Sequence, residues 1–266
     1  MDKTLSRDGT SIAYHRRGDG PPVVLVGGAL SAAADDAPLA ALLARRFTVV
    51  TYDRRGRGAS GDGAPYAPRR EMEDLAAVVA AAGEHVSVFG MRSGGALALE
   101  ACAAGLPVDL LAVHEPPYRP GPAGLPDRSR GTALLHRLLA DGDRGGAVEL
   151  HLVRSGVPAA TIARMRRAPL WGGLEALAHT LAYDDALLGD GSVPVGRLSA
   201  VRARTLVLTG GFSAPEVQGA TLDVVAAVPR ARHRTLTGQT SELAPHAIAP
   251  VLADFFSRDR VLRDVS

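Results

Sequence analysis

Cysteine is nearly absent from this sequence: there is one, Cys102, in 266 residues. That excludes an intrachain disulfide and a cysteine-built metal site. Cys102 reads as a small buried apolar residue in an Ala-rich helix. Aromatics are scarce at 4%, a bias that fits GC-rich coding better than a functional demand. No apolar run approaches the roughly 20 residues of a membrane span. Excess charge is also lacking. The formal net charge is +2, and arginines alternate with acids apart from the short clusters Arg54-Arg55 and Arg166-Arg167. Nucleic-acid binding needs a continuous basic stripe, and none is present. The polar N-terminal stretch has no apolar core of a signal peptide, so a soluble cytoplasmic protein is expected. No metal-ligand spacing and no G-x-G-x-x-G between strand and helix occur, so no cofactor is expected.

What the chain does have is a core. Hydrophobic residues make up 46%, enough for a large folded domain. Up to about residue 118, strands and helices alternate. "SIAYHRR", "PPVVLVGG", "FTVVTYD", "HVSVFG" and "DLLAVHEPP" read as strands, and "APLAALLARR" and "RREMEDLAAVVAAAG" as helices. Continuous apolar strands alternating with helices predict an α/β fold with a mostly parallel sheet covered on both faces. From 119 to 200 the pattern is helical only: "RGTALLHRLLADG", "RGGAVELHLVRSG", "PAATIARMRRAPL" and "GLEALAHTLAYDDALLG". A Pro/Gly-rich linker, "PPYRPGPAGLPDRSRG", leads into it. Strands return in 201–266 with "RTLVLTGG" and "RHRTLTG", beside the helices "PEVQGATLDVVAAV" and "PHAIAPVLADFF". The expected division is therefore core 1–118, helical cap 119–200 and core 201–266.

"VSVFGMRSGGALALEAC" reads as strand, tight turn and helix, with Gly90 and Gly94 bracketing Arg92. With "VLVGGAL", "YDRRGRGAS", "VHEPPY" and "GQTSELAP", this order resembles the α/β-hydrolase superfamily over essentially the whole chain. The resemblance implies a serine nucleophile on the elbow, an acid after the seventh strand and a histidine near the end. Those positions fall on Arg92, Ser213 and Ser241, so it also implies a substituted triad. The oxyanion-hole amides fall on Ala29 and Ser93. They lie beside the positive end of the elbow helix, where an anion or developing oxyanion is favoured.

Several residues are candidates for the chemistry that remains. Glu115 ends the sixth strand at the crevice, either as an ion-pair partner for Arg92 or as a free base, the pair being favoured. Ser93 is a candidate relocated nucleophile, although Met91 is too large for the position two before it. His114, by strand alternation, is expected on the other face of the sheet from Glu115. His233 and His246 are nearest in sequence to the vacated histidine position and read mainly as surface residues. Gly28, Met91, His179, Tyr183 and Trp171 are candidate ligand contacts, with Trp171 reading first as an anchor of cap packing. The acid pairs Asp35-Asp36 and Asp184-Asp185 read as solvated helix-end residues.

Three functions remain open. One is a non-hydrolytic enzyme of cyclase, lyase, isomerase or dehydratase type. It acts on a small, largely apolar metabolite whose anionic or carbonyl group is held by Arg92 and the oxyanion hole. Specialised metabolism is a natural setting for such divergence. The second is a pseudo-hydrolase that binds a ligand or protein partner. The third is a residual ester hydrolase using Ser93. A homodimer is compatible with all three, and no residue pattern marks one.

Overall fold

A computed structural model describes residues 1–119 and 128–261, the last four as backbone alone. The first half runs β1 (Asp2–Leu5), β2 (Ser11–Arg17), β3 (Pro22–Val26), α1 (Ala37–Leu43), β4 (Thr48–Tyr52), α2 (Pro68–Ala82), β5 (Ser87–Met91), α3 (Ser93–Ala103) and β6 (Leu110–His114). Helices α4 (Arg128–Ala140), α5 (Arg144–Arg154), α6 (Ala159–Met165), α7 (Trp171–Leu177), α8 (Leu181–Leu188) and α9 (Val195–Leu198) follow without a strand among them. β7 (Arg204–Gly210), α10 (Pro215–Ala227), β8 (Ala231–Leu236) and α11 (Pro245–Val261) complete the described chain. Most of the Pro/Gly-rich linker, 120–127, lies outside the described residues.

The eight strands form one sheet in the order β1-β2-β4-β3-β5-β6-β7-β8. β1 and β2 pair antiparallel, as do β2 and β4, and every pairing from β4 across to β8 is parallel. The fold is therefore the expected α/β architecture with a mostly parallel central sheet. β3 explains why: Val23, Val24, Leu25 and Val26 are fully buried. Burying each such side chain is worth ~1.5–3 kcal/mol, and only a sheet covered on both faces buries consecutive residues. Val24 and Val26 pack with α2, α3 and α10, while Val23 and Leu25 pack with α1 and α11.

Two differences from the sequence pattern have simple causes. β1 has almost no buried apolar surface and is held by backbone pairing to β2, so hydropathy does not reveal it. "GLEALAHTLAYDDALLG" is not one helix; a 3-10 turn at Ala178–Thr180 separates α7 from α8. The cap has its own core of Leu135, Ala147, Val148, Ile162, Trp171 and Leu181. Leu30, in the loop after β3, belongs to that same cluster, so the cap is seated on the loop beside the elbow.

Candidate active site

The elbow is a strained turn between a core strand and a buried helix. Arg92 sits between β5 and α3 at φ +49°, ψ −118°, a conformation that costs a side-chain-bearing residue about 1–3 kcal/mol. Its glycine neighbours are sterically required. A Cβ on Gly90 would meet the Gly94 carbonyl oxygen at 2.6 Å, and one on Gly94 would collide with the Val26 carbonyl. The strain therefore lifts the Arg92 side chain off the sheet, at the carboxyl ends of the parallel strands, where α/β folds bind ligands.

Arg92 lines a cavity of ≈ 300 Å³ beneath the cap, together with Ala29 and Ser93. Its Nη2 donates to the Ser241 carbonyl at 2.8 Å. The expected ion pair with Glu115 does not form. Glu115 Oε1 instead accepts from Gly210 N at 2.9 Å and from the Ser213 hydroxyl. Ser241 Oγ in turn donates to Ser213 Oγ at 3.3 Å. So Glu115, Ser213, Ser241 and Arg92 form one chain of contacts, with the carboxylate at its buried end and the guanidinium at the cavity. Burial alone would raise the Glu115 carboxyl. The Ser213 hydroxyl, the His114 ring, the Gly210 N–H and the Ser241 hydroxyl together hold it below the usual range. Arg92 has no carboxylate partner among the described residues.

His114 also departs from expectation. Its Nε2 lies 3.7 Å from Glu115 Oε1 rather than on the other face. Alternation requires extended backbone, and Glu115 is at φ +43°, which swings its carboxylate back toward the preceding side chain. Burial lowers His114 to about 4, the Arg92 charge adding to the effect against the pull of Glu115. It is a neutral, buried ring.

The backbone N–H groups of Ala29 and Ser93 donate to no protein acceptor among the described residues. Both residues line the cavity, Ser93 as the first residue of α3 and Ala29 on the loop after β3. The loop that carries Ala29 is held from behind, since the Gly28 carbonyl accepts from the Ser31 hydroxyl at 2.8 Å and from Arg57 Nη1. Gly28 also abuts the elbow: a Cβ placed there would lie 3.2 Å from the Met91 carbonyl oxygen and 3.4 Å from Arg92 Cβ. Met91 packs with the core on the α1–α11 side. Ser93 is buried, and its Oγ accepts from Arg54 Nη1 at 3.2 Å.

The remaining ligand-contact candidates lie elsewhere. Tyr183 stacks on Tyr66 at 4.0 Å and donates to Asp62 at 2.8 Å, and His179 Nε2 is 3.7 Å from the same carboxylate. They face the loop after β4 and are not among the residues that line the cavity. Trp171 is buried in the cap core with its Nε1 on Glu175 at 2.8 Å. His246 is exposed in the first turn of α11, and His233 is exposed on the edge strand β8.

Asp35 is exposed at a helix end, as expected, but the other three paired acids are the main correction. Asp184 and Asp185 are buried in the middle of α8. Asp184 bridges Arg54 and Arg57 at 2.8 Å each, and Asp185 takes Arg128 at 2.7 Å and Arg154 at 3.3 Å. Burial would raise Asp184, but the Arg54 and Arg57 guanidiniums hold it at about 2. Asp36 is buried too, with Oδ2 unpartnered, and burial raises it to about 7. Arg54, Arg55 and Arg57 are completely enclosed, Arg55 by Asp74 and Asp8. Sequence reasoning also missed the cap side of the cavity: Leu150, His151, Arg154, Leu181 and Leu188. The one available signal was "LAYDDALL", where two acids interrupt an apolar helix and so demand buried partners.

A doubly covered, mostly parallel sheet, a strained strand-to-helix elbow and a helical cap over it define an α/β protein with a cavity at the elbow. The solved structure of an α/β hydrolase from Sphaerobacter thermophilus DSM 20745 is 50% identical, covers 96% of this chain and 100% of its own, and superposes with a TM-score of 0.91. The chain belongs to the α/β-hydrolase family. An esterase from Exiguobacterium antarcticum (16% identical, 96% and 98% covered, TM-score 0.76) and a hydrolase from Pseudomonas aeruginosa PA01 (20%, 96% and 98%, TM-score 0.73) share the fold. No family model matches the chain. Among the described residues no helix is long and apolar enough to cross a membrane.

Proposed function

We propose that this chain is a triad-deficient member of its family that performs non-hydrolytic chemistry on a small, largely apolar molecule. That molecule bears a carbonyl or anionic oxygen. In this reading Arg92, Ser213 and Ser241 occupy the three triad positions, and Arg92 turns a site for covalent attack into one that holds negative charge. One observation carries it: the Arg92 guanidinium lines the cavity without a carboxylate partner among the described residues, beside two undonated amides. A half-buried cation at a cavity favours a counter-ion, which in this reading the bound molecule supplies. Stabilising an enolate or alkoxide needs no nucleophile, so elimination, isomerisation and ring closure are all within reach of such a site.

The test uses 4-nitrophenol, whose ionised form is coloured. We expect the protein to bind its phenolate and Arg92→Ala to weaken binding by roughly 10- to 100-fold, the worth of a charge-assisted hydrogen bond. Unchanged affinity in Arg92→Ala would sink the proposal. A plugged, purely structural site is disfavoured, because the Arg92–Glu115 plug is not formed. The solved relatives are named as hydrolases and an esterase, but hydrolysis here would fall to Ser93, whose hydroxyl is buried against Arg54.

A further inference from the structure

An imidazole reaches the cavity from the cap side. His151 lies on α5, one turn beyond Ala147 and Val148, which are buried in the cluster that contains Leu30. That packing fixes α5 above the loop carrying Ala29 and brings the next turn, with His151 and Arg154, over the cavity. The His151 ring has no hydrogen-bond partner among the described residues. It shares the cavity with Arg92, Ala29 and Ser93.

We propose that His151 is the general base of this cavity, taking a proton from the α-carbon of an apolar ketone whose oxygen sits at Arg92 and the Ala29 and Ser93 amides. The inference rests on the charge-holding reading above. In the step, the α-C–H bond breaks and its proton passes to an imidazole nitrogen. The bonding pair forms a C=C bond, and the carbonyl π pair moves onto the oxygen, giving an enolate. Returning the proton to the same carbon gives exchange, and returning it further along a conjugated chain gives an isomer. No oxidant or second reactant is needed.

The surroundings set the charge state of the free ring. Burial holds the ring neutral, down to about 4, and among the charges near it Asp184 favours the imidazolium while Arg154, Arg92 and Arg57 oppose it. The free ring is therefore unprotonated at neutral pH, with its basicity lowered by burial. Once it has accepted, Asp184 steadies the imidazolium and Arg92 the enolate.

The probe is 2-tetralone, followed by NMR as its C1 protons exchange in deuterated buffer, with 4-nitrophenol binding measured on the same samples. We expect wild type to accelerate exchange, His151→Gln and Arg92→Ala each to lose roughly a hundredfold or more, and exposed His136→Gln to behave as wild type. His151→Gln should keep 4-nitrophenolate binding and Arg92→Ala should lose it. Exchange retained in His151→Gln overturns the base assignment while leaving the charge-holding site in place. So does an absence of acceleration in wild type that still binds the phenolate through Arg92. Neither exchange nor binding in wild type overturns both readings.

Discussion

Two sets of arginines meet within a few residues of the elbow, and they are treated in opposite ways. Arg54, Arg55 and Arg57 are enclosed, each with at least one carboxylate, and Asp184 serves two of them. Arg92 is half-buried and strained, and among the described residues its side chain bonds only to a carbonyl. The first set ties the loop after β4 to the cap through α8. The second is offered to the cavity. In the proposed reading, the difference separates a charge satisfied at folding from one that a bound molecule satisfies. A buried pair is a weak source of net stability but a strong penalty when broken, whereas an unpaired charge at a cavity loses little when removed.

The largest expected effect comes from breaking the enclosed set. Asp184→Ala leaves Arg54 and Arg57 short of a carboxylate, and we expect a loss of about 3–5 kcal/mol in urea unfolding. Arg92→Ala should change stability by less than about 1 kcal/mol while losing the phenolate binding described above. If both variants lost stability equally, the contrast between the two sets would be wrong.

Acid separates the groups next. His114 is lowered from 6.5 to about 4, so between those pH values the unfolded chain takes up a proton that the folded chain refuses. Stability from this group is complete above 6.5 and lost as pH falls, by up to about 1.4 kcal/mol per pH unit. His151 acts in the same sense. Asp36, raised to about 7, acts oppositely: its contribution is present below 3.8 and lost as pH rises toward 7. The wild-type profile in this window is a partial cancellation. His114→Gln should therefore reduce the acid loss and Asp36→Asn should steepen it, both read from urea midpoints between pH 4 and 7. Asp184, lowered to about 2, contributes above 3.8 and is lost only as pH falls from there toward 2. Identical slopes in wild type and both variants would contradict these assignments.

The sheet was legible because its signal is local. Four consecutive apolar residues in β3 and glycines around Arg92 state their environment without help from the rest of the chain. The cap helices were legible as helices, but not the face each presents. Nothing local distinguishes His179 on the outer face from His151 over the cavity; that depends on Leu30 seating α5. Asp184 and Asp185 misled for a related reason. Acids are normally solvated, and their arginine partners lie up to 130 residues away. Glu115 misled through one dihedral: at φ +43° it faces Ser213 and His114 instead of Arg92.

The smallest effects sharpen the comparison at the elbow itself. At φ +49°, glycine fits Arg92's backbone and alanine does not, so Arg92→Gly should be about 1 kcal/mol more stable than Arg92→Ala although both lose the guanidinium. Ser93, one residue on, belongs to the enclosed set through Arg54. A fluorophosphonate probe should leave Ser93 unmodified, and Ser93→Ala should cost about 1 kcal/mol, the worth of one hydrogen bond, without changing phenolate affinity more than a few fold. Labelling at Ser93 would instead place that hydroxyl with the reactive groups of the cavity. It would also move the division between folding charge and working charge by one residue along α3, a shift the Arg92→Gly and Arg92→Ala pair would not detect.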